Sequence, residues 1–333
     1  MRKLVVIAVV LASLWAGYWV YGARGVEAAF KGWIEDRRAA GWVAQAQDIS
    51  TQGFPNRFDT IFTGLELADP ATGLAWRAPE FQVLALSYQP HHVIAVWPGE
   101  HVLSSPEQNI TMQAEAFEGS LVFDPLPSLP LDRSSIVVGK LAMTSSAGWT
   151  AALDSGQIAT RKSSAAPNRY DLHMDATGLM PASSFIQSFG EGNVLPPAFE
   201  RATLKANLDF TKPWDRSAIE NARPQITRID LADFDAKWGT LGLRASGVVD
   251  VDQNGTPAGE LSIRATNWRQ MIKVAQASGA IAPELVGTVT RALEFIAGLS
   301  GKAETLDVTL NLSGGAVFLG PIPVGKAPRI VIR

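Results

Sequence analysis

The hydrophobic pattern changes period twice along the chain. Leu4 to Tyr21 carries no charged side chain over eighteen residues, enough for a helix about 27 Å long, close to the hydrocarbon thickness of a bilayer. Val26, Ala29, Phe30, Trp33 and Ile34 then recur at helical spacing among Lys31, Glu35 and Arg38, and Gly41 is placed to stop that helix. After Gly41 the period falls to two. Phe58, Thr60 and Phe62, then Leu65 and Leu67, predict strands separated at Gly64. Leu74 to Tyr88 and Val93 to Trp97 predict another pair, joined near Gln89-Pro90. The run from Pro125 to Pro130 reads as a boundary or a wide loop.

Alternation is clearest in the second half. Leu241, Leu243, Ala245, Gly247, Val249 and Val251 share one face of a half-buried strand, and Gly242, Arg244, Ser246, Val248, Asp250 and Asp252 share the other, mostly polar one. Asn254-Gly255 is a turn signal, and Leu261, Ile263 and Ala265 continue the alternation beyond it. Asn267 with Gln270 resembles a capping box, opening a helix with Trp268, Met271, Ile272 and Ala275 on one face and a stop at Gly279. Pro283 opens a second helix with Leu285, Val286, Val289, Leu293 and Ile296 inward. Leu306 to Leu312 is a further strand, and Gly314-Gly315 turns into Ala316 to Leu319.

A similar order occurs earlier. Tyr170 to Asp175 is a strand, a helical stretch surrounds Phe185 and Ile186, Pro196-Pro197 opens a short helix, and Leu204 to Phe210 is a strand. Two related halves explain the match. So does the tendency of any β-rich chain to produce such coincidences, and both readings stand.

The N-terminus sets the expected location. Arg2 and Lys3 precede the apolar run, and Trp15, Tyr18, Trp19 and Tyr21 crowd its far end, where aromatic rings favour the headgroup zone. The basic side stays in the cytoplasm, so the rest of the chain lies beyond the membrane. A cleaved signal peptide is the competing reading. Its apolar region runs about 7–15 residues and ends at a small-x-small site, whereas this run is longer and ends in aromatics. Both readings export the body.

Composition narrows the chemistry. Hydrophobic residues make up 47% and charged ones 18% of 333 residues, which excludes a disordered chain. A net charge of −3 gives no footprint for nucleic acid. With Cys at 0 there is no disulfide, thiolate metal site or thiol nucleophile. His91, His92 and His101 lie near one another with Glu100, but neighbouring histidines on a strand point to opposite faces. Asp250, Asp252, Asn254 and Gly255 match half a calcium loop, yet position twelve is Leu261, with Glu260 one place early, and a hairpin turn explains the same residues. Gly190-Glu191-Gly192 lacks the third glycine of a dinucleotide fingerprint, and Gly298-Leu299-Ser300-Gly301 lacks the nucleophile-elbow spacing. No catalytic residue, cofactor or metal is assigned. Large apolar side chains are abundant, with Trp 10 and Phe 14, and they either fill a core or line a groove.

Gly53-Phe54-Pro55-Asn56-Arg57-Phe58-Asp59, Trp76-Arg77-Ala78-Pro79 and Leu86-Ser87-Tyr88-Gln89-Pro90, with Leu306 to Leu319 and Gly320-Pro321-Ile322-Pro323, resemble a mostly alphaproteobacterial domain-of-unknown-function family of single-anchor envelope proteins. Gly259-Glu260-Leu261-Ser262-Ile263 also looks like the Gly-turned strands of AsmA-like envelope proteins, which implies long open sheets with an apolar groove and a part in lipid movement.

The fold class expected is β-rich α+β, a large curved antiparallel sheet with a few packed helices, after one N-terminal transmembrane helix. Its parts are 1–23 (the anchor), 24–130 (a first β-rich part with the N-terminal helix) and 131–333 (a second β-rich part with helices near 182–200 and 267–298). The function expected is a binding module, anchored in the inner membrane with its body in the periplasm. It passes or holds a lipid or another hydrophobic molecule along an apolar groove, with Leu241, Leu243, Val249 and Val251 as candidate lining residues. The alternative is a scaffold of the envelope that contacts other envelope proteins; an enzyme is held in reserve. Nucleic acid is not among the expected partners.

Overall fold

A computed structural model describes residues 1–187, 195–220, 222–277, 281, 283–300 and 304–332. Gly190-Glu191-Gly192, the Gly279 stop, Gly301 and the side chain of Leu285 lie outside the described residues. The chain forms two compact units. Unit 1 is Met1–Pro125 with Ile136–Trp149, and unit 2 is Leu126–Ser135 with Thr150–Arg333. The proline-rich run carries the chain out of unit 1 at Pro125.

Unit 1 begins with α1 (Arg2–Ala39), followed by β1 (Val43–Gln45), β2 (Asp48–Gln52), β3 (Arg57–Asp69), β4 (Leu74–Leu86), β5 (Gln89–Val96), β6 (Glu100–Ser104), β7 (Asn109–Gln113), β8 (Ala116–Phe123) and most of β9 (Leu131–Ser145). The apolar run and the following helical segment are one uninterrupted helix of 38 residues, about 57 Å long. It ends at Ala40, and Gly41 adopts φ 87 beyond it. Its sheet-facing stripe is Ala23, Val26, Phe30 and Ile34, at spacings of three and four. Ala29 and Trp33, expected on that stripe, are exposed instead.

β3 pairs with β4 throughout and with two shorter strands on its other edge: β2 along 59–63 and β1 along 66–68. The change of partner falls at Gly64, at φ 60, so the two strands expected on either side of it are one strand with a kink. β4 also divides its partners, with Gln82–Leu86 on β5 and Ala75–Arg77 on β6. Phe30, Phe62, Phe81, Trp76, Trp97 and Phe117 form a chain of ring contacts, with centroids 4.6 to 5.7 Å apart. These six rings therefore pack on one another, with Phe62 buried in the core of unit 1.

Unit 2 is a meander. β10 (Thr150–Lys162), β11 (Arg169–Leu179), β12 (Phe199–Phe210), β13 (Ile226–Trp238), β14 (Leu241–Val251), β15 (Pro257–Thr266), β16 (Thr305–Ser313), β17 (Ala316–Leu319) and β18 (Ile322–Lys326) pair antiparallel in chain order. α2 (Ser183–Gln187) lies between β11 and β12, α3 (Arg216–Glu220) between β12 and β13, and α4 (Trp268–Ala277) with α5 (Pro283–Ser300) between β15 and β16. Strand, helix, strand thus recurs between antiparallel neighbours, with helices of very different length. The short helix expected at Pro196-Pro197 is absent; residues 195–198 are irregular and lead into β12. The capping box is also not formed. Asn267 takes φ 56 and its side-chain amide donates to the Thr240 carbonyl, so it ties the start of α4 to the β13–β14 turn.

Two glycines let β14 and β15 approach. Gly247 (φ 150) and Gly259 (φ 152) face the neighbouring strand so closely that a Cβ would lie 2.1 Å from the Glu260 carbonyl oxygen and 2.2 Å from that of Val248. Backbone cannot yield as a side chain does. Gly259→Ala is expected to lower the melting temperature sharply, since the backbone conformation alone costs about 1–3 kcal/mol for a residue with a Cβ. Gly242→Ala, where the added atom meets Thr266 at an ordinary 3.6 Å, is the control and should change little in the same thermal scan.

Candidate functional site

The site is built on the register of four strands. Ala236, Leu243, Ala265 and Leu306 stand opposite one another across β13, β14, β15 and β16. The neighbouring row, one residue along, is Asp235, Arg244, Arg264 and Asp307. Successive side chains point to opposite faces, so the first row is apolar on one face and the second is charged on the other. Arg244 Nε donates to Asp235 at 2.7 Å and Arg264 Nε to Asp307 at 2.6 Å, and all four are solvated. A slip of one residue would place these charges in the apolar face.

α4 and α5 cover that face. Trp268, Met271, Ile272 and Ala275 repeat at three and four on α4, as the sequence pattern predicts, and meet Val289 and Leu293 of α5. Trp268 is 1% exposed and Leu306 2%. The helices do not fill the space. Between them and the sheet lies an apolar pocket of about 540 Å³, within the range of ligand sites, about 300–1,000 Å³. Leu241, Leu243, Phe234, Trp238, Ile263 and Val308 supply the sheet side, and Phe185 and Phe199 close one end against Trp238. The Trp238 indole N–H is satisfied by the Pro196 carbonyl at 2.7 Å, so no unpaired polar group faces the interior there. Lys326, at the end of β18, is the charged side chain on the wall among the described residues, and it is exposed.

Of the four residues proposed from the strand pattern, Leu241 and Leu243 line the pocket. Val249 and Val251 are buried at the other end of β14, opposite Gly259 and Pro257 of β15, and do not line it. Phe185, Phe199, Trp238, Ile281 and Lys326 were not anticipated. The position of Trp238, directly before the Gly239 turn and on the apolar parity of β13, is the one signal that pointed to any of them.

The polar candidates are held in other ways. Asp250 pairs with Arg228 at 2.6 Å. The Asp252 carboxylate accepts the backbone N–H groups of Asn254 and Thr256, both at 2.8 Å, and these bonds, Thr256 first, hold its pKa below the usual value. That is a turn cap on the β14–β15 hairpin. His92 bonds to Ser120 across β5 and β8 at 2.9 Å. His101 is 2% exposed and stacks on Trp76, with ring centroids 6.1 Å apart. Among the described residues no three His, Asp or Glu side chains gather as a metal site would need.

These features define a class: an antiparallel β protein with a long N-terminal apolar helix and an apolar pocket roofed by two helices. The chain belongs to the bacterial family described as "uncharacterized protein conserved in bacteria (DUF2125)", whose model matches residues 19–328. No curated protein and no solved structure matches it.

Two predictions follow from the packing and from the buried imidazole. Leu306→Ala is expected to cost about 2–5 kcal/mol by removing a filled core contact, while Leu243→Ala, which enlarges space that already exists, costs clearly less; denaturant titration of the full chain reads both. Burial is the first cause holding the His101 pKa below its ordinary value, and the main chain at Trp97 and Pro98 offsets it only in part, since neither ring nitrogen reaches a hydrogen bond. The unfolded chain therefore takes up a proton near pH 6.5 that the folded chain resists. Stability should be level above that pH and fall below it, down to the lower folded pKa. His101→Phe should flatten that slope, and a slope unchanged by the substitution would rule the imidazole out as its source.

Proposed function

We propose that this is a single-span membrane protein of the bacterial inner membrane whose periplasmic body holds a lipid acyl chain, or a similar hydrophobic molecule, in the pocket between α4–α5 and β12–β18. It acts as a binding module and catalyses no reaction. The observation that carries the reading is the pocket itself: about 540 Å³ of apolar space, with Trp268 and Leu243 on facing walls. Each methylene moved from water into such a space gains about 0.8 kcal/mol, so a chain of several carbons binds with useful affinity without a polar contact. Lys326 at the rim suits the acidic head of such a molecule, which orients the chain tail-inward. The apolar run of α1 supports the membrane setting, and Arg2 and Lys3 support a cytoplasmic N-terminus. The likeness of Gly259 to Ile263 to AsmA-like envelope proteins leans the same way.

A photo-crosslinking residue placed at Leu243 or at Met271 is expected to capture lipid in cells. The same residue at Val249, on the same strand parity but away from the pocket, should capture none. Leu243→Trp should fill the pocket and abolish the capture at Met271 while the protein stays folded. Lipid captured equally at Val249 would move the ligand elsewhere. No lipid at any position, with native mass spectrometry showing an unliganded chain, would favour the scaffold, for which the exposed Phe295 of α5 offers a protein contact.

A further inference from the structure

The anchor helix is bonded to the body at a height that its apolar length does not allow unless the body also touches the bilayer. From Leu4 to Leu14 every large apolar side chain is exposed, but this stretch spans only about 17 Å, well short of the roughly 30 Å hydrocarbon layer. The remaining length comes from residues 15 to 21, and these are already engaged. Trp15 Nε1 donates to the Pro55 carbonyl at 3.0 Å, Tyr18 Oη to the Ser87 carbonyl at 2.6 Å, and Trp19 Nε1 to the Arg57 carbonyl at 2.7 Å. Trp19 also meets Phe54 edge-on, with centroids 5.4 Å apart, and Tyr18 and Trp19 both contact Phe58. Whatever depth α1 takes, the turn before β3 and the β4–β5 turn take it too.

Those turns are suited to that depth. Phe54 is 57% exposed and Tyr88 58%: two aromatic side chains at the tips of neighbouring turns, of the kind that favours the headgroup zone. Irregular backbone is penalised at membrane depth when its carbonyls lack donors. Here two such carbonyls, of Pro55 and Ser87, and that of Arg57 at the start of β3 are satisfied by ring N–H and O–H groups from the helix beside them. The Arg57 guanidinium beside them is half exposed and paired with Asp59.

We propose that residues 53–58 and the Ser87-Tyr88 turn enter the headgroup–acyl boundary of the leaflet facing the body. Phe54 and Tyr88 are the embedded side chains, so unit 1 rests directly on the bilayer. The partner is a lipid surface. The proposal rests on α1 spanning the membrane, and it is independent of any ligand in unit 2.

The chain has no cysteine, so single cysteines report cleanly. Full-length protein in liposomes is labelled with an environment-sensitive fluorophore at Phe54→Cys or Tyr88→Cys, at Leu11→Cys within the anchor, or at Ala71→Cys. Ala71 lies at the opposite end of the β3–β4 hairpin, about 40 Å away by strand rise. Nitroxides attached to the lipid acyl chains are the quencher. The expected result is a blue shift and quenching at Leu11, Phe54 and Tyr88, and neither at Ala71. Tyr88→Cys repeats the test at a second turn, and an unchanged melting temperature for each labelled protein shows that it is folded. Quenching at Leu11 with Phe54 and Tyr88 behaving like Ala71 overturns the proposal and leaves the anchor standing. No quenching at Leu11 overturns the anchor itself.

Discussion

The register of β13 to β16 is the constraint on which the pocket-bearing unit depends. It places Ala236, Leu243, Ala265 and Leu306 in one row and Asp235, Arg244, Arg264 and Asp307 in the next. The charged row adds little stability, because exposed ion pairs contribute about 0–1 kcal/mol. Its effect is on specificity: a strand displaced by one residue would bury Arg244 or Arg264 beneath Trp268, an error far larger than any gain from the pair. Gly247 and Gly259 act on the same ladder from a different direction. Their missing Cβ atoms admit the carbonyls of Glu260 and Val248, so β14 and β15 close up in this alignment.

The apolar face was legible because alternation states parity directly, and the α4 stripe was legible because four residues at helical spacing suffice to define a face. What alternation cannot state is how far along a strand the covering helices reach. α4 starts two residues after Thr266, which pairs with Gly242, so the helices roof the end of β14 that holds Leu241 and Leu243. Val249 and Val251 share the parity but lie at the hairpin end, opposite Gly259 and Pro257. Only the chain path separates the two pairs. Phe185, Phe199 and Trp238 were hidden for a related reason: they come together from three separate elements, and Trp238 is oriented by a bond to Pro196, forty-two positions away.

α1 shows the same limit at the other end of the chain. Its aromatic cluster reads from the sequence as an interfacial belt, an expectation drawn from composition and position. That the cluster also supplies donors to Pro55, Arg57 and Ser87 was not legible, since those bonds span 40, 38 and 69 positions. Local pattern reported which solvent each ring prefers, and tertiary structure decided what each ring bonds. The helical face after residue 22 illustrates this in miniature. Trp33 and Ala29 fit an amphipathic stripe, but the sheet touches a narrower one, on Ala23, Phe30 and Ile34.

The two units use the same kind of side chain to opposite ends. In unit 1 Phe62, Phe81 and Trp97 pack directly on one another. In unit 2 comparable residues stand around a space of about 540 Å³. That space opens to solvent on one side, so it is a cleft with apolar walls and not an enclosed void. Water in it finds few partners, because the wall is Leu, Ile, Phe and Trp. The register and the two helices that define unit 2 are therefore also what set the walls of this apolar space.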